Sequence, residues 1–206
     1  MILFRYSKTD GAEFISHLDM LKNLSRIFRR AGIKVAYSQG YNPHLLVYMS
    51  APIGVGIKSF AEYCLLETDE PPDLFKEKFN RFASRGIRCS GAWKTDKKVG
   101  VASDIVKARY FIRGIGKFDP AEVLGKPFLI KDRKGNEKDV SDLIYSIEEK
   151  DGGISCVLGF GNGLRVEKFI QGLADRYGGG DAEAIKEQGL TQDGREFEES
   201  LKDLWA

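Results

Sequence analysis

Hydrophobic and polar positions in the first half of the chain follow a regular series of strand-like and helix-like patterns. Four segments are apolar or alternate apolar with polar residues, which predicts strands over 2–7, 45–50, 60–67 and 87–93. Ser16 and Gly32 bound a first predicted helix as its N-cap and its C′ glycine. A second predicted helix follows Pro71-Pro72-Asp73 and carries apolar residues on one side: Leu74, Phe75, Phe79 and Phe82. The order β-α-β-β-α-β predicts a ferredoxin-like unit.

The second half repeats this pattern without visible sequence identity. The predicted elements are a strand over 106–113, a short helix opened by Asp119-Pro120, strands within 128–132 and 143–159, a helix over 164–177, a strand over 184–190 and a terminal helix over 197–205. The polar segment between the halves reads as a linker. We therefore predict an α+β fold of tandem ferredoxin-like units with antiparallel sheets, divided into residues 1–95, a linker at 96–105, and residues 106–206.

The first helix presents two distinct faces. Apolar residues at helical spacing predict its core face: Leu18, Leu21, Leu24, Ile27, Phe28 and Ala31. Four cations share another face, here called the basic stripe: Lys22, Arg26, Arg29 and Arg30. The stripe is either a solvated face whose cations favour the negative end of the helix dipole, or a track for nucleic-acid phosphates.

Composition narrows the class of protein. Hydrophobic residues make up 42% of the 206 residues and charged residues 30%, which is typical of a globular chain. No apolar run approaches the ~20 residues of a membrane span, and the N-terminus has no secretory pattern, so we expect a cytoplasmic protein without membrane contact. The three cysteines and two histidines are scattered, which predicts buried structural thiols, no metal site and no cofactor.

The charge is unevenly distributed along the chain. The whole chain has a net charge of +2, but its first sixty residues carry eight Lys and Arg against three Asp and Glu. This excess favours an anionic partner for the N-terminal part.

Polar and aromatic residues concentrate around both histidines. His17 falls in the first turn of the first helix, and the segment 37–44, here called the recognition loop, ends at His44. Five residues of this loop are candidates for contact with bases or a ribose edge: Tyr37, Gln39, Tyr41, Asn42 and His44. Each histidine has three interpretations, namely a structural hydrogen bond, ligand contact, or proton transfer.

A glycine-rich segment at 159–163, here called the glycine loop, leads directly into the helix predicted over 164–177. It is either a simple turn or an anion site at a helix N-terminus, with Gly161 and Gly163 as the candidate backbone contacts. Its spacing matches neither a P-loop nor a dinucleotide fingerprint.

The segments Phe-Ile-Ser-His-Leu-Asp, Arg-Arg-Ala-Gly-Ile, Ala-Tyr-Ser-Gln-Gly-Tyr-Asn-Pro-His, Pro-Ile-Gly-Val-Gly and Ala-Glu-Tyr closely resemble the radical SAM-linked (radical SAM-associated) domain family of unknown function, a bacterial family. The matching motif residues are Ser16, His17, Asp19, Ser38, Gly40, Pro43, Glu62 and Tyr63. After His44 the chain departs from the family, with Leu45-Leu46 where members usually have proline and a basic residue. The resemblance implies a domain that works beside a radical SAM enzyme. The chain itself has no closely spaced cysteine triplet for an iron–sulfur cluster.

Three functional hypotheses follow. The favoured one is a non-catalytic domain that binds structured RNA, such as transfer or ribosomal RNA, and presents it to a radical SAM protein for modification or processing. The second is a protein-interaction module that docks on a partner enzyme. The third is a metal-independent RNA endonuclease in which His17 or His44 moves the proton at a 2′-hydroxyl.

Overall fold

The computed structural model describes residues 1–96, 99–132, 134–161 and 163–202. Within these residues there are ten strands: β1 (Ile2–Lys8), β2 (Val47–Met49), β3 (Lys58–Leu66), β4 (Cys89–Lys94), β5 (Lys107–Arg113), β6 (Leu129–Lys131), β7 (Glu137–Asp139), β8 (Ile144–Lys150), β9 (Gly153–Gly159) and β10 (Glu183–Leu190). The α-helices of the same residues are α1 (His17–Arg30), α2 (Pro72–Phe82), α3 (Val166–Tyr177) and α4 (Phe197–Ser200). None of these helices is long and apolar enough to cross a membrane.

Eight strands form one continuous sheet. Its order is β4-β1-β3-β10-β5-β9-β8, and β2 pairs with residues 64–66 of β3. The two halves of the chain join where β3 runs parallel to β10, through Lys58 and Ser59 on one strand and Ile185 and Lys186 on the other. We call this junction the seam. Every other pairing in the sheet is antiparallel. The protein is therefore a mixed α/β fold built on a large, mostly antiparallel sheet.

The two halves share a strand order but differ in their helices. The order is β4-β1-β3-β2 in the first half and β10-β5-β9-β8 in the second. In both, the last of the four main strands lies beside the first, and the third lies between the first and the second. The first half places α1 and α2 in its two crossovers. In the second half, the helix predicted at Asp119-Pro120 is only a three-residue 3-10 turn, Pro120–Glu122, and the small hairpin β6–β7 follows it. The terminal helix is also shorter than predicted, and Trp205 lies outside the described residues.

Helix α1 begins as the sequence predicts, and most of its predicted core face is buried, with Leu18 as the exception. The Ser16 hydroxyl accepts a hydrogen bond from the Asp19 amide at 3.2 Å, which caps the helix. Met20, Leu24, Ile27 and Phe28 are buried against β1 and α2. The prediction that Leu18 belongs to the core face is wrong, because its side chain is 70% exposed. Met20 is two positions after Leu18, which is a rotation of about 200° around the helix, so the two side chains point to opposite sides.

The second face of the first-half sheet is covered by segments far apart in sequence. Leu3, Tyr63 and Leu65 on this face pack with Val99, Val101 and Ile105 from the segment predicted as a linker, and with Phe197 and Leu201 from the end of the described chain. A third cluster in the second half packs α3 against the sheet, with Phe128 and Phe169 at its centre. The described part of the 96–105 segment thus belongs to the core.

All three cysteines are buried and free, as predicted. Burial raises the pKa of each thiol, and that of Cys89 reaches about 12 although the Lys76 charge and a backbone hydrogen bond with Gly91 lower it. A thiol with a raised pKa keeps its proton in the folded state at a pH where the unfolded chain releases it. Folding is therefore favoured below the unfolded value of 9.0 and loses this contribution as pH rises.

We accordingly expect the free energy of unfolding to fall between about pH 9 and about pH 10, by up to ~1.4 kcal/mol per pH unit for each buried thiol. Urea titrations at successive pH values measure the slope, and a Cys89→Ala variant should show a smaller one. A free energy of unfolding that stays flat across this range in both chains would contradict the expectation.

Candidate functional site

The basic stripe lies on the solvent side of α1, with the side chains of Lys22, Arg26, Arg29 and Arg30 all exposed. Lys22 forms an ion pair with Asp19 at 3.1 Å, and hydrogen bonds from Ser16 and then Lys22 lower the pKa of that carboxyl group. No ion pair joins Arg26, Arg29 or Arg30 to a carboxylate in the described residues. Three neighbouring guanidinium groups therefore remain available to an external anion.

The recognition loop is closed at its base and open at its tip. The Ser38 hydroxyl accepts a hydrogen bond from the His44 amide at 3.0 Å and lies 2.9 Å from His44 Nδ1. The Ser38 amide donates to the His44 carbonyl, and Tyr37 forms a β-bridge with Leu45. Gly40 adopts a φ of 139°, which favours glycine, and the side chain of Tyr41 beyond it is fully exposed.

The other predicted contact residues of this loop also face solvent: Tyr37, Gln39, Asn42 and His44. The motif residue Pro43 is exposed as well. The loop starts seven positions after Arg30, so Tyr37 lies at most about 25 Å from the end of the basic stripe. A single nucleic-acid strand of a few nucleotides spans that distance.

The two histidines occupy different surroundings. His17 is exposed at the first position of α1, and in the described residues its ring has no hydrogen-bond partner. The Nδ1 atom of His44 faces Ser38, which leaves Nε2 toward solvent. Neither ring contacts a carboxylate in the described part of the chain. Proton transfer by His17 or His44 thus stays a prediction.

The glycine loop connects β9 to α3 on the second half. Gly161 and Gly163 are exposed, with φ of 151° and 77°, and the Leu164 amide donates to the Gly161 carbonyl at 2.8 Å. Asn162 between them lies outside the described residues. The first turn of α3 also carries Glu167, so an anion bound there would meet a negative side chain as well as the helix N-terminus.

Glu62 belongs to a buried polar cluster that sequence reasoning did not foresee, here called the seam cluster. The Glu62 carboxylate accepts hydrogen bonds from the Ser59 hydroxyl at 2.8 Å and from Lys186 Nζ at 3.0 Å. The side chains of Glu62 and Lys186 are only 6% and 3% exposed. Lys8 is also buried, and burial lowers the pKa of its ammonium group although Glu62 and Glu13 act in the opposite direction. Charged side chains buried this deeply are rare in proteins unless they are paired, and Glu62 and Lys186 form such a pair.

One sequence signal pointed to this cluster. On β1 the buried residues Phe4 and Tyr6 alternate toward the helix-covered face, and Lys8 continues the alternation in the position of a core residue. The strand register is irregular at two points of the cluster, between Tyr6 and Lys8 on β1 and between Lys186 and Gln188 on β10. Bulges of this kind re-aim side chains beside functional sites.

Tyr63, the neighbour of Glu62 in the sequence, faces the other side of the sheet. Its hydroxyl donates a hydrogen bond to Glu198 Oε2, and Arg5 pairs with the second oxygen of the same carboxylate, both at 2.5 Å. Burial and the Glu198 charge raise the pKa of Tyr63. This network fastens α4 to the sheet, so the Tyr63 motif position has a structural role.

A cavity of about 240 Å³ opens beside the seam cluster. One wall is the segment 51–54 of the first half, which includes the first three residues of the Pro-Ile-Gly-Val-Gly motif (52–56), and the other is the end of β9 with the start of α3. Lys186 and Tyr110 line its inner part. The fold thus brings the Pro-Ile-Gly-Val-Gly motif and the start of the glycine loop together at this cavity. It leaves the basic stripe and the recognition loop on the outer surface of the first half.

A family described as uncharacterized proteins conserved in bacteria, DUF2344, matches residues 1–168 of the chain. The chain belongs to the DUF2344 family. No curated protein matches it.

The DUF2344 match covers all but a few of the candidate-site residues. It includes the basic stripe, the recognition loop, the Pro-Ile-Gly-Val-Gly motif, the glycine loop and Glu167. It ends before β10, which supplies Lys186 to the seam cluster. The DUF2344 match therefore covers both walls of the cavity, but of the two inner residues it includes Tyr110 and not Lys186.

Proposed function

We propose that this protein binds structured RNA, such as transfer or ribosomal RNA, and presents it to a separate radical SAM enzyme for modification or processing. The observation that carries the proposal is the group of three exposed arginines on α1 that have no ion-pair partner in the described residues. Phosphate binding by such cations releases counterions, which supplies much of the affinity of proteins for nucleic acids.

The geometry of α1 supports this use of the stripe. Side chains at spacings of four, seven and eight residues share one helix face, and successive turns place them about 5.4 Å apart along the axis. Arginine suits phosphate because its planar guanidinium group donates two parallel hydrogen bonds. Asp19 forms an ion pair with Lys22 and interacts at longer range with Arg26, but in the described residues no ion pair joins it to any of the three arginines.

The recognition loop supplies a surface for bases. Tyr41 is fully exposed and Tyr37 is half exposed, and exposed tyrosines stack on unpaired bases. Ser38 holds the two ends of the loop together, so these rings are presented on a closed frame. Gln39 and Asn42 add side-chain amides that hydrogen-bond to base edges.

The radical SAM partner rests on the resemblance of the sequence motifs to the radical SAM-linked family. Because the sequence has no cysteine triplet, the radical chemistry must come from another protein. In this proposal the chain contributes affinity and orientation for the RNA, and the partner contributes the reaction.

A binding titration of the purified chain with total bacterial RNA tests the proposal. If each of the four stripe cations neutralises one phosphate, the logarithm of the affinity should fall linearly with the logarithm of salt concentration, with a slope of about −3 between about 50 mM and about 200 mM salt. Absence of affinity at the lowest salt concentration would contradict RNA binding.

A protein-interaction module is a second candidate, favoured by a different observation. Phe14 and Leu18 are 68% and 70% exposed, and both belong to the Phe-Ile-Ser-His-Leu-Asp motif. Large apolar side chains exposed together mark surfaces for protein contact. Co-purification of a partner enzyme without RNA affinity would favour this function.

We also infer that the two halves are related ferredoxin-like units. Their shared strand order supports the inference, with the first crossover helix of the second unit replaced by the β6–β7 hairpin. In this view the seam is the contact between two units of one ancestral type, and it is the natural place for a ligand cavity.

A further inference from the structure

The cavity at the seam has mostly apolar walls. Pro52 and Ile53 from the first half lie across from Leu158, Leu164 and Val166 of the second. Its volume of about 240 Å³ is below the ~300–1,000 Å³ of pockets that hold drug-sized ligands. The cavity therefore suits a single small ring system and is too small for a folded peptide segment.

Three polar side chains in this cavity lack full hydrogen bonding. Tyr110 is only 5% exposed, and its hydroxyl has no hydrogen-bond partner in the described residues. Lys186 donates one hydrogen bond, to Glu62, and has two further N–H groups. Within the same described residues, the Glu167 carboxylate has no hydrogen bond or ion pair. A buried polar group without a partner is costly, so the Tyr110 hydroxyl calls for an explanation.

Glu167 lies unusually close to the opposite wall. A Cβ atom at position 54 would lie 1.4 Å from Glu167 Oε1, so the carboxylate occupies space that is open because residue 54 is glycine. The Pro-Ile-Gly-Val-Gly motif thus makes room for a carboxylate from the other half of the chain. This places a hydrogen-bond acceptor on the same cavity as the ammonium donor of Lys186 and the hydroxyl of Tyr110.

We infer that this cavity binds a nucleobase. The ligand must be small, planar enough to fit between apolar walls, and able to offer both donors and acceptors on its edge. A nucleobase has this combination, because its edge carries amino and carbonyl or ring-nitrogen groups side by side. An anionic ligand would instead meet the Glu167 carboxylate, and a cationic one would meet Lys186.

The rim of the cavity suits the rest of a nucleotide. Arg165 lines the opening and is exposed, and Phe160 beside it is 36% exposed. Gly159, at the start of the glycine loop, also lines the cavity. Where the base belongs to RNA, which rests on the proposed function, it enters the cavity extruded from its stack, with its phosphates near Arg165.

Titration of the full chain, with labelled methyl groups, against each of the four free ribonucleosides tests the inference. At least one nucleoside should shift the methyl resonances of Leu158, Leu164 and Val166. Tyr110→Phe and Glu167→Gln should each weaken that nucleoside about tenfold, since each removes one hydrogen bond to it. Tyr177→Phe and Glu149→Gln are the matched controls, because neither residue lines the cavity.

The Tyr110→Phe variant also separates binding from folding. Its hydroxyl has no partner in the described residues of the free protein, so the variant should unfold at the same temperature as the wild type or a higher one. Weaker nucleoside binding in a chain of unchanged thermal stability then identifies a ligand contact. Unchanged affinity in both cavity variants would overturn the assignment of these two side chains to the ligand.

A further arm uses total bacterial RNA as competitor. RNA that shifts the same methyl resonances and displaces the nucleoside shows that the cavity takes a base of an RNA chain. A nucleoside that binds when RNA has no affinity shows a site for free nucleosides and refutes the proposed RNA function alone. If no nucleoside shifts these resonances, the nucleobase inference is wrong, whether or not RNA binds elsewhere.

Discussion

A chain in which Arg26, Arg29 and Arg30 are all replaced by glutamate should lose RNA affinity by about a hundredfold or more at physiological salt. Each replacement removes one phosphate contact and places a negative charge where the phosphate would lie. The salt dependence should weaken as well, because about two fewer counterions are released on binding. The measurement is the salt-titrated binding of total bacterial RNA, with wild type and variant side by side.

A control variant keeps the change in total charge the same. Lys117, Lys126 and Lys134 are exposed on the second half, away from the predicted surface, and their replacement by glutamate changes the net charge equally. That variant should bind RNA nearly as well as the wild type. If both triple variants lost affinity to the same extent, binding would depend on overall charge and the stripe would have no special role. Both sets are solvent-exposed, so folding should change little.

The first half of the fold could be predicted because its information is local. The Ser16 cap, the Gly32 terminus and the strand patterns each depend on neighbouring residues, and they give the observed element order. The orientation of α1 was less accessible. Both Leu18 and Met20 are apolar, and only packing against β1 and α2 decides that Met20 is buried and Leu18 is exposed.

The second half shows where the pattern fails. Asp119 does cap a turn as predicted, because its carboxylate accepts from the Ala121 amide at 2.9 Å. The turn does not continue as a helix, since Gly125 follows three positions after its end and adopts a φ of 70°, outside the right-handed helical region. A capping residue predicts where a helix begins, but its length depends on the apolar residues that follow.

The site divides in the same way. The basic stripe and the recognition loop each lie within one short segment of the chain. Their predicted contact residues are exposed, as a binding surface requires. The seam cluster depends on the pairing of Ser59 with Lys186, which are more than a hundred positions apart. No periodicity within either segment indicates that pairing. The only local sign of the seam cluster discussed above is Lys8 on β1, a lysine at a position that the strand pattern assigns to the core.

Removal of one partner from the Glu62–Lys186 pair should destabilise the protein by about 3–5 kcal/mol, because the remaining charge stays buried without compensation. The two single variants should differ. Glu62→Leu leaves Lys186 without its paired carboxylate and leaves Lys8 with Glu13 alone, whereas Lys186→Met leaves Glu62 with Ser59 and Lys8. We therefore expect the larger loss for Glu62→Leu. Urea unfolding measures both, and Arg113→Met in the exposed Arg113–Glu183 pair, at about 0–1 kcal/mol, is the control.

The double variant decides what the pair is for. Replacing a buried ion pair with apolar residues of similar size is often neutral or stabilising, so Glu62→Leu with Lys186→Met should regain most of the stability that either single variant loses. The same chain should no longer bind the nucleoside, because the ammonium donor in the cavity is gone. A stable double variant without ligand binding would mean that the charges are maintained for the ligand at a cost to folding. A double variant as unstable as Glu62→Leu alone would instead mean that the pair itself holds the two halves together.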